Sequence, residues 1–578
     1  MKIKLARGSG FCYGVRRAVN LTFDEVSNSK NLYTLGELIH NPQVLEILRM
    51  RGVTVAKTVE EIPEGASVVI RSHGITPQVR QALQARGFSI IDATCPKVAR
   101  VQQLALRAAK KGRRVIIFGD IQHSEVKGIA AYAEQKAVVI KSISELREVV
   151  AAIPSDEKIT FLAQTTQNMA LWNAMKTELR KLRDDVEIFE TICGATDYRQ
   201  SQVRELAAEV DAVVVVGGRA SGNSRRLVEV AQEQGIDAYL VETEADLQQK
   251  QLKGYQLVGL AAGASTPSWM IRRVMHALER IANRRSLKSF MLAAWQYIVR
   301  SNVLVAFGAA QILYASSRLQ GIEPHIFYQL IVAAYIFAMH LLNHFTDRIS
   351  TEINYPAKVG FYARNRRLLL TVGILATASS LVISYLLGAF TFLLIFALSI
   401  LGMVYRVELF GRRRFGARRL MDIPGSKDIF LGLAWTAVIA LLVVPASKSS
   451  FTPATAVAAV FVFSIAFSRS LVYSIRDVQG DRMVGRETIP VLLGESKTRR
   501  LGALILFAAA VFMVVSYILK WTGLISIFLI FNLAYAFVML WLTRGEKIYS
   551  DVLFETIVES NLILTQLIAY GVHLAGIV

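Results

Sequence analysis

The 578-residue chain carries 66 Lys and Arg against 45 Asp and Glu, a formal charge of +21, and 53% of its residues are hydrophobic. That length holds two or more domains, and three cysteines are too few for a disulfide-stapled fold. The charge does not imply nucleic acid: much of the excess lies in short basic segments between apolar runs, such as Arg412-Arg413-Arg414 and Arg418-Arg419, and the first half has no basic run interleaved with aromatics.

The composition changes near Ala282-Asn283-Arg284-Arg285-Ser286. Before it, short apolar strands alternate with charged helical stretches; from about Phe290 onward, runs of roughly 18–20 apolar residues recur, the signature of membrane-crossing helices. The expected domains are therefore an α/β unit over 1–283 and an all-α polytopic membrane unit over 284–578. Met1-Lys2-Ile3-Lys4-Leu5 leads directly into the first domain, which is expected to stay in the cytoplasm. Disulfides are rare there, so Cys12, Cys95 and Cys193 point to metal binding or catalysis.

Counting from each cysteine reveals a repeat. Each opens an amphipathic helical stretch, beginning at Tyr13, Pro96 and Gly194. Twenty residues on, an apolar strand has begun: Leu32–Leu35, Val115–Phe118 and Val213–Val216. Twenty-eight residues on stands a polar loop residue, His40, His123 or Ser221. A second strand follows in each unit, ending in polar groups: Val68–Ile70 before Arg71-Ser72-His73, Ile159–Ala163 before Gln164-Thr165-Thr166, and Leu257–Leu260 running on to Ser265. A fixed period means one supersecondary unit used three times. Parallel α/β units collect ligands at the carboxyl ends of their strands, so three units about a pseudo-threefold axis aim three cysteines and a polar ring at one cavity.

Three thiolates without a C-x-x-C pair suit an iron–sulfur cube better than a four-ligand structural zinc site. Such a cluster leaves one iron free of protein ligands, and a helix N-terminus favours each thiolate; a catalytic zinc on the same three thiols is the alternative. Around them, His40, His73 and His123 offer donors or positive charge. Thr165, Thr166, Ser221, Asn223 and Ser265 offer neutral hydrogen bonds, and Gly217–Ser224 has the small-residue composition of a loop that cradles phosphate at a helix start. The expected ligand is an anion such as a diphosphate. Glu125, the one carboxylate in this set, is the expected proton donor.

The first half, over its full length, resembles the 4-hydroxy-3-methylbut-2-enyl diphosphate reductases, the LytB family. The segments that carry the resemblance include Gly10-Phe11-Cys12-Tyr13-Gly14-Val15, Leu38-Ile39-His40-Asn41-Pro42, Arg71-Ser72-His73-Gly74, Asp92-Ala93-Thr94-Cys95-Pro96, His123-Ser124-Glu125-Val126-Lys127-Gly128, Gln164-Thr165-Thr166, Thr191-Ile192-Cys193-Gly194-Ala195-Thr196 and Ala262-Gly263-Ala264-Ser265. The resemblance implies a [4Fe–4S] cluster on Cys12, Cys95 and Cys193, and a substrate diphosphate among His40, His73, His123, Ser221, Asn223 and Ser265. It implies Thr165, Thr166 and Glu125 at the substrate, with Glu125 handling protonation of the hydroxyl. A ferredoxin- or flavodoxin-like donor would supply two electrons, and the products would be isopentenyl and dimethylallyl diphosphate, the last step of the non-mevalonate isoprenoid pathway. Gly222 stands where the family often has a second serine, which removes one hydroxyl donor.

In the second half, nine spans are expected near 291–315, 326–343, 368–387, 390–405, 429–445, 453–473, 502–519, 523–542 and 553–576. The loops after the even-numbered spans hold about 20 Lys and Arg, whereas the opposite loops hold Arg318, Lys448 and Lys520; this places the N-terminus inside and the C-terminus outside. Asn343-His344-Phe345-Thr346-Asp347 closes the second span, and Arg476-Asp477-Val478-Gln479-Gly480-Asp481 closes the sixth. Carboxylates at helix ends can hold Mg²⁺ against a diphosphate, and Lys427 could bind the same anion. This half resembles the UbiA family of intramembrane prenyltransferases. The resemblance implies Mg²⁺ and prenyl diphosphate at Asn343, Asp347, Lys427, Asp477 and Asp481, and prenyl transfer to a membrane lipid. His344 and Thr351 replace two aspartates of the first family motif, so the expected role is transfer or binding of a prenyl diphosphate, and the alternative is a non-catalytic anchor or binding module.

Overall fold

In the computed structural model the described residues are all but 27, 30, 135, 249–251, 253, 283–286, 347, 406–418, 447–450, 545–549 and 577–578. The chain divides into two compact units, Met1–Asn283 and Arg284–Val578.

The first unit contains β1 (Lys2–Leu5), β2 (Leu32–Leu35), β3 (Val53–Ala56), β4 (Ser67–Ile70), β5 (Ser89–Asp92), β6 (Arg114–Phe118), β7 (Ala137–Ile140), β8 (Ile159–Ala163), β9 (Val186–Ile188), β10 (Ala212–Val216), β11 (Asp237–Val241) and β12 (Leu257–Ala262). They form three four-stranded sheets of orders β3-β2-β4-β5, β7-β6-β8-β9 and β11-β10-β12-β1, and every pairing is parallel. The three orders are the same. In the third sheet, however, the last strand is β1, so the first residues of the chain complete the final repeat and close the ring.

The central strands are nearly continuous apolar runs because a parallel sheet is covered on both faces. Val213–Val216 and Phe161–Ala163 are fully buried, and Trp172 lies 4.5 Å, ring to ring, from Phe161 in the core beside the β7-β6-β8-β9 sheet. Side-chain caps start the flanking helices: Asn41, Thr76, Ser142, Asn168 and Ser221 each accept a backbone N–H from the first turn.

Described residues of the second unit are helical or in connecting turns. Six helices are long and apolar enough to cross a membrane, or seven if the pair Phe290–Arg300 and Val303–Leu319, bent by 65°, is one span. This makes the chain a multi-pass membrane protein. All nine expected segments are helical, but two fall short of that test. Ala389–Val404 has 16 residues, about 24 Å against a hydrocarbon core of about 30 Å. Ser426–Thr436 runs into a π-helical stretch, Ala437–Leu441.

One boundary needs correction. The sixth segment, expected to end at 473 with a loop beyond, is a 31-residue helix, Pro453–Met483. Asp477 and Asp481 therefore lie on its last turns, 2% and 0% exposed, and not on a solvated loop. Hydropathy ends where charge begins, whereas the helix continues because its polar residues are buried against neighbours.

Candidate functional site

The repeat is realised at the level of hydrogen bonds. Each cysteine follows the last strand of one sheet, β1, β5 or β9, and stands at the N-terminus of a helix: Tyr13–Val26, Pro96–Lys110 or Gly194–Ala207. The N–H of Cys12 donates to the Ala264 carbonyl (3.0 Å), that of Cys95 to Ser72 (2.9 Å) and that of Cys193 to Thr165 (2.9 Å). All three acceptors sit in the loop after the third strand of their sheet. This pins each thiol to the carboxyl edge of its unit, and all three line one cavity of about 100 Å³.

The cavity fits a group held by three thiolates. A Cβ on Gly14 would lie 2.5 Å from Cys95 Sγ, so only glycine leaves this sulfur its place. The backbone N–H groups of Lys97 and Val98 favour the Cys95 thiolate, although burial pushes its thiol up on balance. Arg199 also lines the cavity and donates to the Gly10 carbonyl (2.7 Å); burial lowers its pKa, and the thiols of Cys12 and Cys193 oppose that. The helix N-termini and this guanidinium favour negative charge on the sulfurs.

Beside the thiols lie three imidazoles. His40 and His73 have ring centroids 4.7 Å apart, and His123 stands 5.7 and 5.3 Å from them. Burial, together with His40, His123 and Arg71, holds His73 well below the usual imidazole range. Burial and His40 bring His123 down to about 4. Burial thus disfavours the protonated forms of His73 and His123, and a nearby anion would favour them. The Nδ1 of His123 accepts the Glu125 N–H (3.2 Å), which leaves Nε2 as the protonated nitrogen of the neutral ring.

Glu125 is 1% exposed. The Thr165 N–H donates to one carboxyl oxygen (2.8 Å) and the Thr165 hydroxyl to the other (3.1 Å). Burial raises its pKa despite these bonds, the environment of a carboxyl poised to deliver a proton. Thr166 accepts from Gln164 Nε2 (3.1 Å). Ser265 donates to the His40 carbonyl (3.1 Å), so it also positions that histidine. Ser221 caps the helix Gly222–Gln232. Among the described residues, both polar side-chain atoms of buried Asn223 and Nδ1 of His73 have no hydrogen-bond partner, as expected of groups that await a polar ligand. All these residues except Gln164 line the same cavity as the cysteines. Gly222 also lines it, and a Cβ there would stand 4.0 Å from His123.

In the second unit a cavity of about 330 Å³ gathers Asn343, His344, Thr351, Lys427, Asp477 and Arg486; Asp347 lies outside the described residues. The Tyr355 hydroxyl donates to Asp477 Oδ2. Asn354 donates to Asp481 Oδ1 (3.0 Å), and Lys427 Nζ lies 3.6 Å from Asp481 Oδ2, which has no hydrogen bond among the described residues. Asp481 is not among the residues that line the cavity; with Asp477, Lys427 and Arg486, which are, it makes a charge set of the kind that can hold a divalent cation against a diphosphate.

Sequence reasoning missed the other charges of this cavity. Lys358 pairs with Glu555 (2.8 Å) and Arg469 with Glu559 (2.6 Å); Asp428, which is not part of the cavity lining, accepts from the cavity-lining Ser470 (2.6 Å) and from Ser474 (2.8 Å). One signal could have found two of them: Arg469 and Glu559 interrupt apolar runs, where an ionisable residue is costly and marks function.

Residues 3–279 match the LytB protein family, and residues 301–554 match the UbiA prenyltransferase family. The chain is 39% identical over 289 residues to the 4-hydroxy-3-methylbut-2-enyl diphosphate reductase of Campylobacter fetus subsp. fetus, spanning 50% of this chain and 100% of that protein. It is similar to the structure of the reductase from Plasmodium falciparum (28% identity, TM-score 0.47, 48% of this chain and 87% of that one). It is also similar to a UbiA homolog from Archaeoglobus fulgidus bound to DMAPP and Mg²⁺ (17% identity, TM-score 0.36, 48% and 98%). Through its first half the chain belongs to the 4-hydroxy-3-methylbut-2-enyl diphosphate reductase (LytB) family, and its second half is a UbiA prenyltransferase-family domain.

Proposed function

We propose that the first unit, residues 1–283, reductively dehydroxylates 4-hydroxy-3-methylbut-2-enyl diphosphate to isopentenyl and dimethylallyl diphosphate. The observation that carries this reading is the meeting of three thiols at helix N-termini, three histidines and the Glu125–Thr165 pair in one cavity. A [4Fe–4S] cluster on Cys12, Cys95 and Cys193, when bound, supplies two electrons drawn from a ferredoxin- or flavodoxin-like donor and an iron without a protein ligand. His40, His73, His123, Ser221 and Asn223 hold the diphosphate, and Ser265 fixes His40. Thr165 orients the substrate hydroxyl. The C–O bond breaks with two electrons and two protons, and the oxygen leaves as water; Glu125 gives the proton to that oxygen. Anaerobically purified protein should carry about four irons per chain and absorb broadly near 400 nm, as expected of a thiolate-held cluster. Cys→Ser at 12, 95 or 193 should each abolish reduction. Full activity in any one of the three sinks the assignment.

We further propose that the membrane unit binds Mg²⁺ and a prenyl diphosphate at Asp477, Asp481, Lys427 and Asn343, with Asp347 on the first motif, and transfers the prenyl group to a membrane lipid. With the inside loops basic, the reductase unit faces the cytoplasm. His344 and Thr351, which line the cavity without supplying carboxylates, favour a second reading, a non-catalytic membrane anchor. Full-length protein given Mg²⁺, labelled prenyl diphosphates and a lipid extract separates the two: labelled lipid that disappears in Asp477→Ala supports transfer, and no labelled lipid supports the anchor.

A further inference from the structure

The membrane cavity that Asp477 lines also holds a second group of charges with an unusual balance. The helix break between Phe290–Arg300 and Val303–Leu319 puts Asn302 in the left-handed region, at φ 65°. Its amide donates to the Tyr362 hydroxyl (2.7 Å) and accepts from Lys358 (3.3 Å). An interrupted helix at membrane depth is tolerated where it lines a cavity. Lys358 also holds Glu555 Oε2 at 2.8 Å. Arg469 grips Glu559 with both Nε and Nη2 (2.9 and 2.6 Å), and the Tyr473 hydroxyl donates to the same carboxylate (2.7 Å). Each of these two cations is thus matched by a carboxylate, and an anionic ligand finds neither unpaired. One acceptor is left over. Glu555 is 4% exposed, lines the cavity, and its Oε1 has no hydrogen-bond partner among the described residues. A buried carboxyl oxygen without a donor is costly, and a ligand hydroxyl that donates to it relieves that cost without bringing a further charge into the cavity. Leu304, Ile336, Leu398 and Leu401 add apolar surface to the same cavity.

We propose that Glu555 is the acceptor-binding and proton-accepting residue of the membrane unit, and that its ligand is an uncharged, lipid-soluble alcohol. The catalytic part rests on the prenyl-transfer reading; the binding part does not. In the transfer, the bond from prenyl C1 to the diphosphate oxygen breaks and its electron pair leaves with the diphosphate. The alcohol oxygen bonds to C1, and its proton passes to Glu555 Oε1.

The test uses full-length protein in detergent, with radiolabelled 1-dodecanol and its methyl ether as probes in equilibrium dialysis. A hydrogen bond to a charged group is worth about 1.5–3 kcal/mol, so the alcohol should bind at least about tenfold more tightly than the ether. Glu555→Gln, checked for folding by its thermal transition, should erase most of that preference. Equal binding of alcohol and ether by the unmodified protein overturns the proposal without recourse to any variant, as does an unchanged ratio in Glu555→Gln. With labelled dimethylallyl or geranyl diphosphate and Mg²⁺, the alcohol should become prenylated and Glu555→Gln should slow this about 100-fold. If the alcohol preference is present but no ether product forms, the transfer reading fails and the binding site stands.

Discussion

Replacing Glu125 by Gln tests the proton-delivery argument most directly, because the change keeps volume and removes only the acid. In the structure both carboxyl oxygens accept from Thr165, one from its N–H and one from its hydroxyl. An amide can satisfy one of these donors through its oxygen, but its NH₂ group must face the other. The hydroxyl can rotate away and the N–H cannot, so the amide oxygen should take the N–H, and the Thr165 hydroxyl loses its acceptor. A buried group left unsatisfied costs about 1–3 kcal/mol, which a domain of this size survives. Turnover suffers more: loss of one positioned acid typically costs about 10²–10⁴-fold. The cysteines are untouched, so iron content and the band near 400 nm should stay at wild-type levels. The assay is anaerobic reduction of the hydroxylated diphosphate with dithionite-reduced viologen, with product isomers resolved by chromatography. Burial holds the Glu125 pKa above 4.5, so the acid form persists to higher pH than for an exposed glutamate. Wild-type kcat should therefore fall as pH rises through that raised pKa, and this limb should vanish in Glu125→Gln. A fall in turnover of less than about fivefold, with the alkaline limb retained, refutes the assignment of the acid.

Three further outcomes are expected. Gly14→Ala brings a methyl to 2.5 Å from Cys95 Sγ, about 1 Å inside ordinary contact; because metal–thiolate bonds tolerate only about 0.2 Å, iron per chain should drop sharply, and full loading would contradict the proposed cluster cradle. Gly222→Ser places a Cβ 4.0 Å from His123, an ordinary contact, and its hydroxyl can reach the diphosphate; one neutral hydrogen bond of about 0.5–1.5 kcal/mol should lower KM roughly two- to tenfold with little change in kcat, and a raised KM counts against the phosphate loop. Arg469→Met leaves buried Glu559 without its cation, which should destabilise the membrane unit by about 3–5 kcal/mol, read as a lowered midpoint of thermal unfolding in detergent; an unchanged midpoint would show that the pair is solvated.

Much of the reductase site was legible because its geometry is written locally and three times over. A cysteine before a helix, a strand 20 residues on and a polar loop residue 28 residues on constrain one another, because parallel α/β units put strand ends and helix starts on the same edge. The apolar runs announced the membrane unit for an equally local reason, the thickness of the bilayer. Tertiary structure decided what depends on partners distant in sequence. Nothing in Lys2–Leu5 says that this strand pairs with Leu257–Leu260 and closes the third sheet. The neutrality of His73 and His123 depends on three rings from three loops being packed together out of water. The bonds of Thr165 to Glu125, 40 residues apart, join a loop threonine to a carboxyl in the first turn of the helix Ser124–Tyr132, the pair proposed as the acid and its guide. In the membrane unit the same limit is more severe: Lys358 with Glu555, and Arg469 with Glu559, read in sequence as scattered charges. Only the fold shows that they neutralise each other and that Glu555 Oε1 is left without a hydrogen-bond donor among the described residues, because the cost of burying a charge is set by what three-dimensional packing brings within hydrogen-bond reach.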